Sequence, residues 1–353
     1  MSNYKQLEIR DLLKNWYDEN HRDLPWRNTR DPYKIWISEV ILQQTRVAQG
    51  LNYYFRFIDK YPTIKSLAES EEHDILKEWQ GLGYYSRARN LHSAAKMIVE
   101  KFNGTLPNTY KDLISLKGIG EYTAAAILSI AFDKAYAVVD GNVYRVLSRL
   151  FAIETPIDTS KGKKQFMQLA QDLLDASNPG KHNQALMEFG ALHCTPVQPQ
   201  CHLCVMKHLC LAKQLNLQLE LPVKQKRAKI QKRYFHYFDI NINGYTYLNK
   251  RVGDDIWKNM YEFPLIETDI KTSFNVLSET SLFQNFFNES ELVFELKKEV
   301  KHILTHQHIY TTFYTVIGTK IDASFDLNFL KVNINDVHMY PVSRLIHRYL
   351  EQR

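Results

Sequence analysis

Apolar residues recur at Ile9, Leu12, Leu13, Trp16 and Tyr17, the i, i+3, i+4, i+7, i+8 spacing of one helical face. Val143, Val146, Leu147 and Leu150 repeat the first four positions of that stripe. Each stripe predicts a helix packed inward. Asp31-Pro32 sets an N-cap residue before a proline at the first helical position, so a helix is expected from there through the apolar stretch Ile35 to Leu42. Helical periodicity holds to about Leu221. The segment VKQKRAKIQKR, residues 223–233, then brings six basic residues and no acidic one, which reads as a solvated linker able to lie along phosphates. Beyond it Ile240, Ile242, Asn243-Gly244, Tyr245 and Tyr247 alternate across a hairpin turn, so a β-containing region begins there. Pro341, Val342, Leu345, Ile346, Tyr349 and Leu350 mark a closing amphipathic helix.

A chain of 353 residues exceeds what one core usually serves, so two domains are expected. The longest apolar stretch, about Thr123 to Phe132, is too short to cross a bilayer. Lys and Arg outnumber Asp and Glu by 45 to 39, and the resulting charge of +6 agrees with a polyanionic partner. Met1 to Arg10 has no apolar core of a signal peptide, so a cytoplasmic, non-secreted protein is expected.

The four cysteines of the chain, Cys194, Cys201, Cys204 and Cys210, fall in the spacing C-x6-C-x2-C-x5-C. Thiolates so close in sequence suit a single soft-metal centre, read here as a [4Fe-4S] cluster. Structural zinc and two disulfides are the alternatives. His193, His202 and His208 lie nearby as substitute ligands or, the expected case, as surface histidines.

Leu116, Lys117, Gly118, Ile119 and Gly120 separate an apolar stretch from the small-residue helix Thr123 to Phe132, a helix-hairpin-helix signature. Its glycines, Gly118 and Gly120, bring bare backbone N–H groups at a helix N-terminus against a DNA phosphate. The plainer reading is a tight connection between helices. Glu39 is a carboxylate inside the apolar IWISEVIL, so burial should raise its pKa and let it donate a proton near neutral pH. Gln43 and Arg46 are expected on the same helical face; a structural ion pair is the competing role for Glu39. Asp140 ends the apolar AYAVV at the head of the Val143 helix, where the dipole favours its ionised form. Helix capping is its competing role.

Together WISEVILQQTRV around Glu39, GLGYYSRARNL at 81–91, LKGIGEYTAAAI at 116–127, VVDGNVYRVLSR at 138–149, LPWR at 24–27, QALMEFGALHC at 184–194 and the cysteine loop resemble the endonuclease III superfamily of DNA glycosylases, and within it the adenine-specific branch. The resemblance implies a multidomain α plus α+β chain. An all-α helix-hairpin-helix glycosylase domain, 1–221, carries the [4Fe-4S] loop at 194–210; a basic linker, 222–233, leads to a Nudix-like α+β domain, 234–353. It also implies a monomer that binds double-stranded DNA and hydrolyses the glycosidic bond of adenine mispaired with 8-oxoguanine or guanine, after flipping the base out. Glu39 then protonates adenine N7 and Asp140 stabilises the oxocarbenium-like sugar. Arg27, Gln184, Tyr122 and Asn142 hold the adenine or the catalytic groups, with Gln43 beside them. Members that also cut the backbone place a lysine two residues after the hairpin glycine; here Tyr122 stands there, which implies a monofunctional enzyme.

Tyr84 resembles the side chain that wedges into the base stack, with core packing as its alternative. WKNMYEFP at 257–264 is similar to the branch's recognition domain, and the paired-glutamate helix of Nudix hydrolases is not seen in the sequence. The family's Phe-Ser-His lesion loop is matched by Leu304, Thr305 and His306, unless HILTHQHIY is simply an alternating strand. Two rival readings stand beside this one: a glycosylase and lyase acting on oxidised pyrimidines, and an Fe-S protein that binds damaged DNA without catalysis.

Overall fold

The computed structural model describes residues 3–225, 230–287, 291–321 and 324–353. They form two compact units, Met1–Glu69 with Asn90–Lys226, and Ser70–Arg89 with Arg227–Arg353.

In the first unit the helix Asn3–Asn20 turns Ile9, Leu13, Trp16 and Tyr17 onto Val143, Val146, Leu147 and Leu150 of the helix Gly141–Leu150, with Phe166 and Phe189 closing the cluster. Trp16 meets Phe189 edge-on at 4.9 Å. Each such side chain contributes about 1.5–3 kcal/mol when buried. The helix Pro32–Leu42 starts as its sequence implies, Asp31 Oδ1 accepting from the Tyr33 N–H at 2.9 Å. Tyr33 and every residue from Ile35 to Ile41 are buried, so the element runs through the interior. It stops at Leu42, and Gln44 takes φ +55°. Arg46 therefore caps the next helix, Val47–Lys60, instead of continuing the face of Glu39 as expected.

The helices Tyr110–Ser115 and Glu121–Phe132 are joined by a turn in which Gly118 has φ +80°. A Cβ there would also come within 2.6 Å of Asn90 Cβ, so both torsion and space require glycine. Gly120 occupies the N-cap of the second helix with no side-chain cap.

The second unit holds strands β1 (Gln231–Asn241), β2 (Tyr245–Lys250), β3 (Tyr261–Glu262), β4 (Leu265–Thr268), β5 (Glu291–Ile303), β6 (Gln307–Lys320) and β7 (Leu330–Asn333). They make a four-stranded sheet, β4-β1-β6-β5, and a three-stranded one, β3-β2-β7. β1 runs parallel to β6 and antiparallel to β4. Asn243 and Gly244, at φ +52° and +80°, form the tight turn between β1 and β2 that their dipeptide implies. The closing helix spans Arg344–Leu350, Ser343 accepting from the Ile346 N–H, and its Tyr349 stacks on Phe313 at 4.1 Å. The stretch Ser70–Arg89 joins this unit through Glu72, which accepts from Asn259 at 2.6 Å, and through Arg89, which donates to the Lys258 carbonyl at 3.0 Å.

The basic run is less free than its composition suggests. The Val223 carbonyl accepts from Ile157 N–H at 3.0 Å and Gln225 N–H donates to Asp158 at 2.9 Å. β1 begins at Gln231, and Arg233 pairs with Asp255 and Glu267 at 2.8 and 2.6 Å, which occupies it within the protein instead of on phosphates. Lys226, Arg227 and Lys229 lie outside the described residues.

Candidate active site

Glu39 sits at the middle of the Pro32–Leu42 helix with 8% of its surface exposed. Burial pushes its pKa up to about 7; the Tyr122 hydroxyl and Arg27 pull it back in part, and the nearby Asp140 adds to the rise. The side chain is therefore a proton donor at neutral pH. Tyr122, partly buried at the start of the Glu121–Phe132 helix, packs against Ala125, Ala126 and Val138 and sets its hydroxyl 3.5 Å from Met187 Sδ. Glu39, Asp140, Tyr122 and Arg27 thus act on one another electrostatically in one place.

Asp140 is the N-cap of the Gly141–Leu150 helix, so its capping and its position in the site are one arrangement. Oδ1 accepts from the Asn142 and Val143 N–H groups at 2.9 and 2.8 Å, and Oδ2 from Asn142 Nδ2 at 2.7 Å. The expectation that its helix-end setting leaves the group on the acidic side needs correction: burial raises its pKa, and the hydrogen bonds with Arg145 offset only part of that. Those donors all favour the ionised form. Glu39 has a single hydroxyl for the same purpose, so the ionised form of Asp140 has the greater hydrogen-bond support of the two.

Asn142 is held in turn. Its Oδ1 accepts from Arg145 Nη2 at 2.8 Å, while Arg145 also donates to the Gly190 carbonyl at 2.6 Å and the Cys194 carbonyl at 2.7 Å. A chain of hydrogen bonds therefore runs from Asp140 to the first cysteine. Gly190 lies so close that an added Cβ would meet Asn142 Cβ at 2.7 Å and its carbonyl oxygen at 3.0 Å. Gly190→Ala should cost about 1–3 kcal/mol of stability by overpacking and shift Asn142 from Asp140. Calorimetric melting with a crystal structure of the variant checks this; a melt and an Asn142 position equal to the parent's would refute it.

Arg27 comes from the turn Pro25–Arg27 and makes paired bonds to Glu188 at 2.8 and 2.6 Å; Arg22 binds the same two oxygens at 2.8 and 2.6 Å. Burial alone would raise Glu188, but the two guanidinium groups hold its pKa down to about 2. Glu188, 1% exposed, was not among the candidates read from the sequence, although a lone carboxylate inside ALMEFGAL is the same signal that marked Glu39. Gln184, one turn earlier on the helix Pro179–Leu192, accepts from the Tyr17 hydroxyl at 3.1 Å, and Gln43 Nε2 donates to Thr123 at 3.2 Å.

The four cysteines form no disulfide and line one cavity walled by Val146, Leu150, Phe189 and Met206. Arg149 donates to Cys194 Sγ at 3.4 Å and to the Thr195 carbonyl at 2.7 Å. His193 is buried, stacked on Phe189 at 4.9 Å, so it is a core residue and not the surface histidine expected; His202 and His208 are exposed. Among the described residues no three His, Cys, Asp or Glu side chains gather closely enough to hold a single metal ion.

In the second unit Tyr84 is 47% exposed, while Tyr85 is buried. Tyr84 takes φ +48°, and its hydroxyl lies 2.8 Å from Thr305 Oγ1. Leu304, Thr305 and His306 are the turn between β5 and β6, so the alternating-strand reading of HILTHQHIY gives way to a hairpin tip.

Residues 37–174 match the family model for the HhH-GPD superfamily base excision DNA repair protein, and residues 237–352 match a NUDIX domain. An adenine DNA glycosylase of Buchnera aphidicola subsp. Schizaphis graminum is 38% identical over 262 residues, 74% of this chain and 76% of the relative. One from Buchnera aphidicola subsp. Baizongia pistaciae is 35% identical over 313 residues, 88% and 86% of the two chains. A thermostable thymine-DNA glycosylase of known structure is 31% identical with a TM-score of 0.57, covering 60% of this chain and 98% of that one.

Proposed function

The chain belongs to the adenine DNA glycosylase family, and on that footing we propose that it removes adenine lying opposite 8-oxoguanine or guanine in double-stranded DNA without cutting the backbone. The flipped adenine enters the site beside Glu39, whose carboxylic acid gives its proton to N7. The bond between the base and deoxyribose C1′ breaks, and the base leaves neutral. Asp140, as a carboxylate, faces the positive charge that develops on the sugar until water adds to C1′. The observation that carries this reading is the shared site of two carboxylates with unequal hydrogen bonding, Glu39 raised to about 7 and Asp140 met by three donors from the head of its helix.

Arg27 and Gln184 hold the base, and Tyr122, Asn142 and Gln43 hold the catalytic side chains. Tyr122 has no amine to form a Schiff base, which supports glycosylase action alone. The amides beyond Gly118 and Gly120 take a phosphate. A duplex with adenine opposite 8-oxoguanine is the test: free adenine should accumulate while the strand stays intact until alkali is added. Strand scission in step with base release would overturn it in favour of a lyase, and binding with no release would favour a damage-binding protein.

For the cofactor, four thiols lining one apolar-walled cavity suit a [4Fe-4S] cluster, which takes four cysteine thiolates. Cys194, Cys201, Cys204 and Cys210 would hold it, with Arg149 beside Cys194. When bound, the cluster supplies a cross-link that shapes the loop 194–210. No helix among the described residues is long and apolar enough to cross a membrane.

Recognition of the opposite base falls to Thr305 and His306, with Tyr84 as the wedge. The hydroxyl pair between Tyr84 and Thr305 supports their acting together. Thr305→Val removes one hydrogen-bonding group worth about 1–1.5 kcal/mol, so the preference for 8-oxoguanine over guanine should fall about tenfold. Single-turnover rates on the two duplexes give that ratio, and an unchanged ratio would remove Thr305 from recognition.

A further inference from the structure

Tyr84 is held in a conformation that a tyrosine seldom takes. Its φ of +48° follows Gly83 at +78° and Gly81 at +98°, so the chain turns tightly just before the helix Ser86–Phe102. Left-handed backbone at an aromatic residue is strained, and the contacts around it must offset that strain. They gather at one peptide. The Gly83 carbonyl accepts from Trp79 Nε1 at 3.2 Å and from Arg87 Nη2 at 3.1 Å, while the Arg87 N–H donates to the Tyr84 carbonyl at 2.9 Å.

Arg87 lies in the first turn of its helix, where side chains lean toward the N-terminus, so its guanidinium reaches back over the turn. Its Cζ stands 5.3 Å from the centre of the Trp79 ring and 5.7 Å from that of Tyr84, within the range at which both π faces attract a cation. Trp79 and Arg87 are buried, whereas Tyr84 is half-exposed. Burial lowers the Arg87 pKa to about 10, which leaves the group charged at neutral pH. A desolvated cation is drawn to a ring more strongly than a hydrated one. At the far end of the ring, the Tyr84 hydroxyl lies 2.8 Å from Thr305 Oγ1. Backbone, ring face and tip are therefore each held.

We infer that Arg87 is a positioning residue for base flipping: it pins the Gly83–Tyr84 turn and backs the Tyr84 ring, so that the phenol is already aimed when the base stack opens. The inference rests on Tyr84 being the wedge, and Arg87 acts on adenine release through Tyr84 alone.

The test is a double-mutant cycle in the full-length, cluster-loaded protein on a duplex with adenine opposite 8-oxoguanine. Two readouts are followed: the single-turnover rate of adenine release, and the fluorescence of 2-aminopurine placed beside the mispaired adenine, which rises as the stack opens. Arg87→Met, of similar length and uncharged, should slow release about tenfold, equivalent to about 1.4 kcal/mol, and reduce the fluorescence rise. Tyr84→Ala should lose at least as much in both. The double variant should match Tyr84→Ala within about twofold, because removing the wedge leaves Arg87 nothing to position. If Arg87→Met does not fold, Arg87→Lys, which keeps the charge and loses the planar fork, closes the same cycle with an expected loss of about threefold. Parental rate and fluorescence in the Arg87 variants beside a slow Tyr84→Ala would overturn the inference and leave the wedge standing. Losses that multiply in the double variant would overturn it too, since Arg87 would then act apart from Tyr84. A Tyr84→Ala variant equal to the parent in both readouts would remove the wedge reading itself, and this inference with it.

Discussion

Replacing Glu39 by glutamine is expected to slow adenine release by about 10²–10⁴-fold, the range a general acid supplies, while affinity for the mispaired duplex stays close to the parent's. Glutamine fits the same space in the buried helix Pro32–Leu42 and leaves its packing intact. What it lacks is a transferable proton. Without protonation at N7 adenine must depart as an anion, and the barrier rises accordingly. A single-turnover burst assay beside a binding titration separates the two effects. Equal losses in both would mean that Glu39 only holds the helix.

Asp140→Asn is expected to cost a further large factor of about 10²–10³, because the charge that offsets the developing positive sugar disappears. The fold should survive. Asparagine is itself a good N-cap, and its Oδ1 can still accept from the Asn142 and Val143 N–H groups. At the other branch its amide would face Asn142 Nδ2, which now donates to Oδ2. Asn142 cannot simply turn over, since its oxygen accepts from Arg145. That donor-against-donor contact costs some stability, but the two retained cap bonds should hold the loss of melting temperature to a few degrees while activity is lost. A stable variant with near-parental rate would remove Asp140 from the chemistry and leave it as a cap.

Much of the helical unit, and the first hairpin of the second, was legible because the signals are local. The stripe from Ile9 to Tyr17, the Asp31-Pro32 start and the Asn243-Gly244 turn each depend on neighbours a few residues away, and each forms as its pattern implies. What local pattern could not convey is partnership at long range. Glu188 binds Arg22 and Arg27 across more than 160 residues, and β1 pairs with β6 far down the chain. Nothing in the periodicity of Ser70–Arg89 says that it packs with the second unit. Asp140 shows a subtler limit: the helix dipole is visible in sequence, whereas the burial that raises its pKa comes from the surrounding elements. His193 likewise reads as polar in sequence but fills space against Phe189.

The central claim is that Glu39 keeps its proton where Asp140 has lost its own, and the pH dependence of single-turnover adenine release addresses it directly. With the Glu39 pKa raised to about 7, the acid form prevails below that pH and is lost above it. The rate should hold steady just below pH 7 and fall about tenfold per unit on the alkaline side, a limb absent from the residual activity of Glu39→Gln. A rate that stays level or climbs from pH 6 to about 9, or the same alkaline limb in the glutamine variant, would contradict the account.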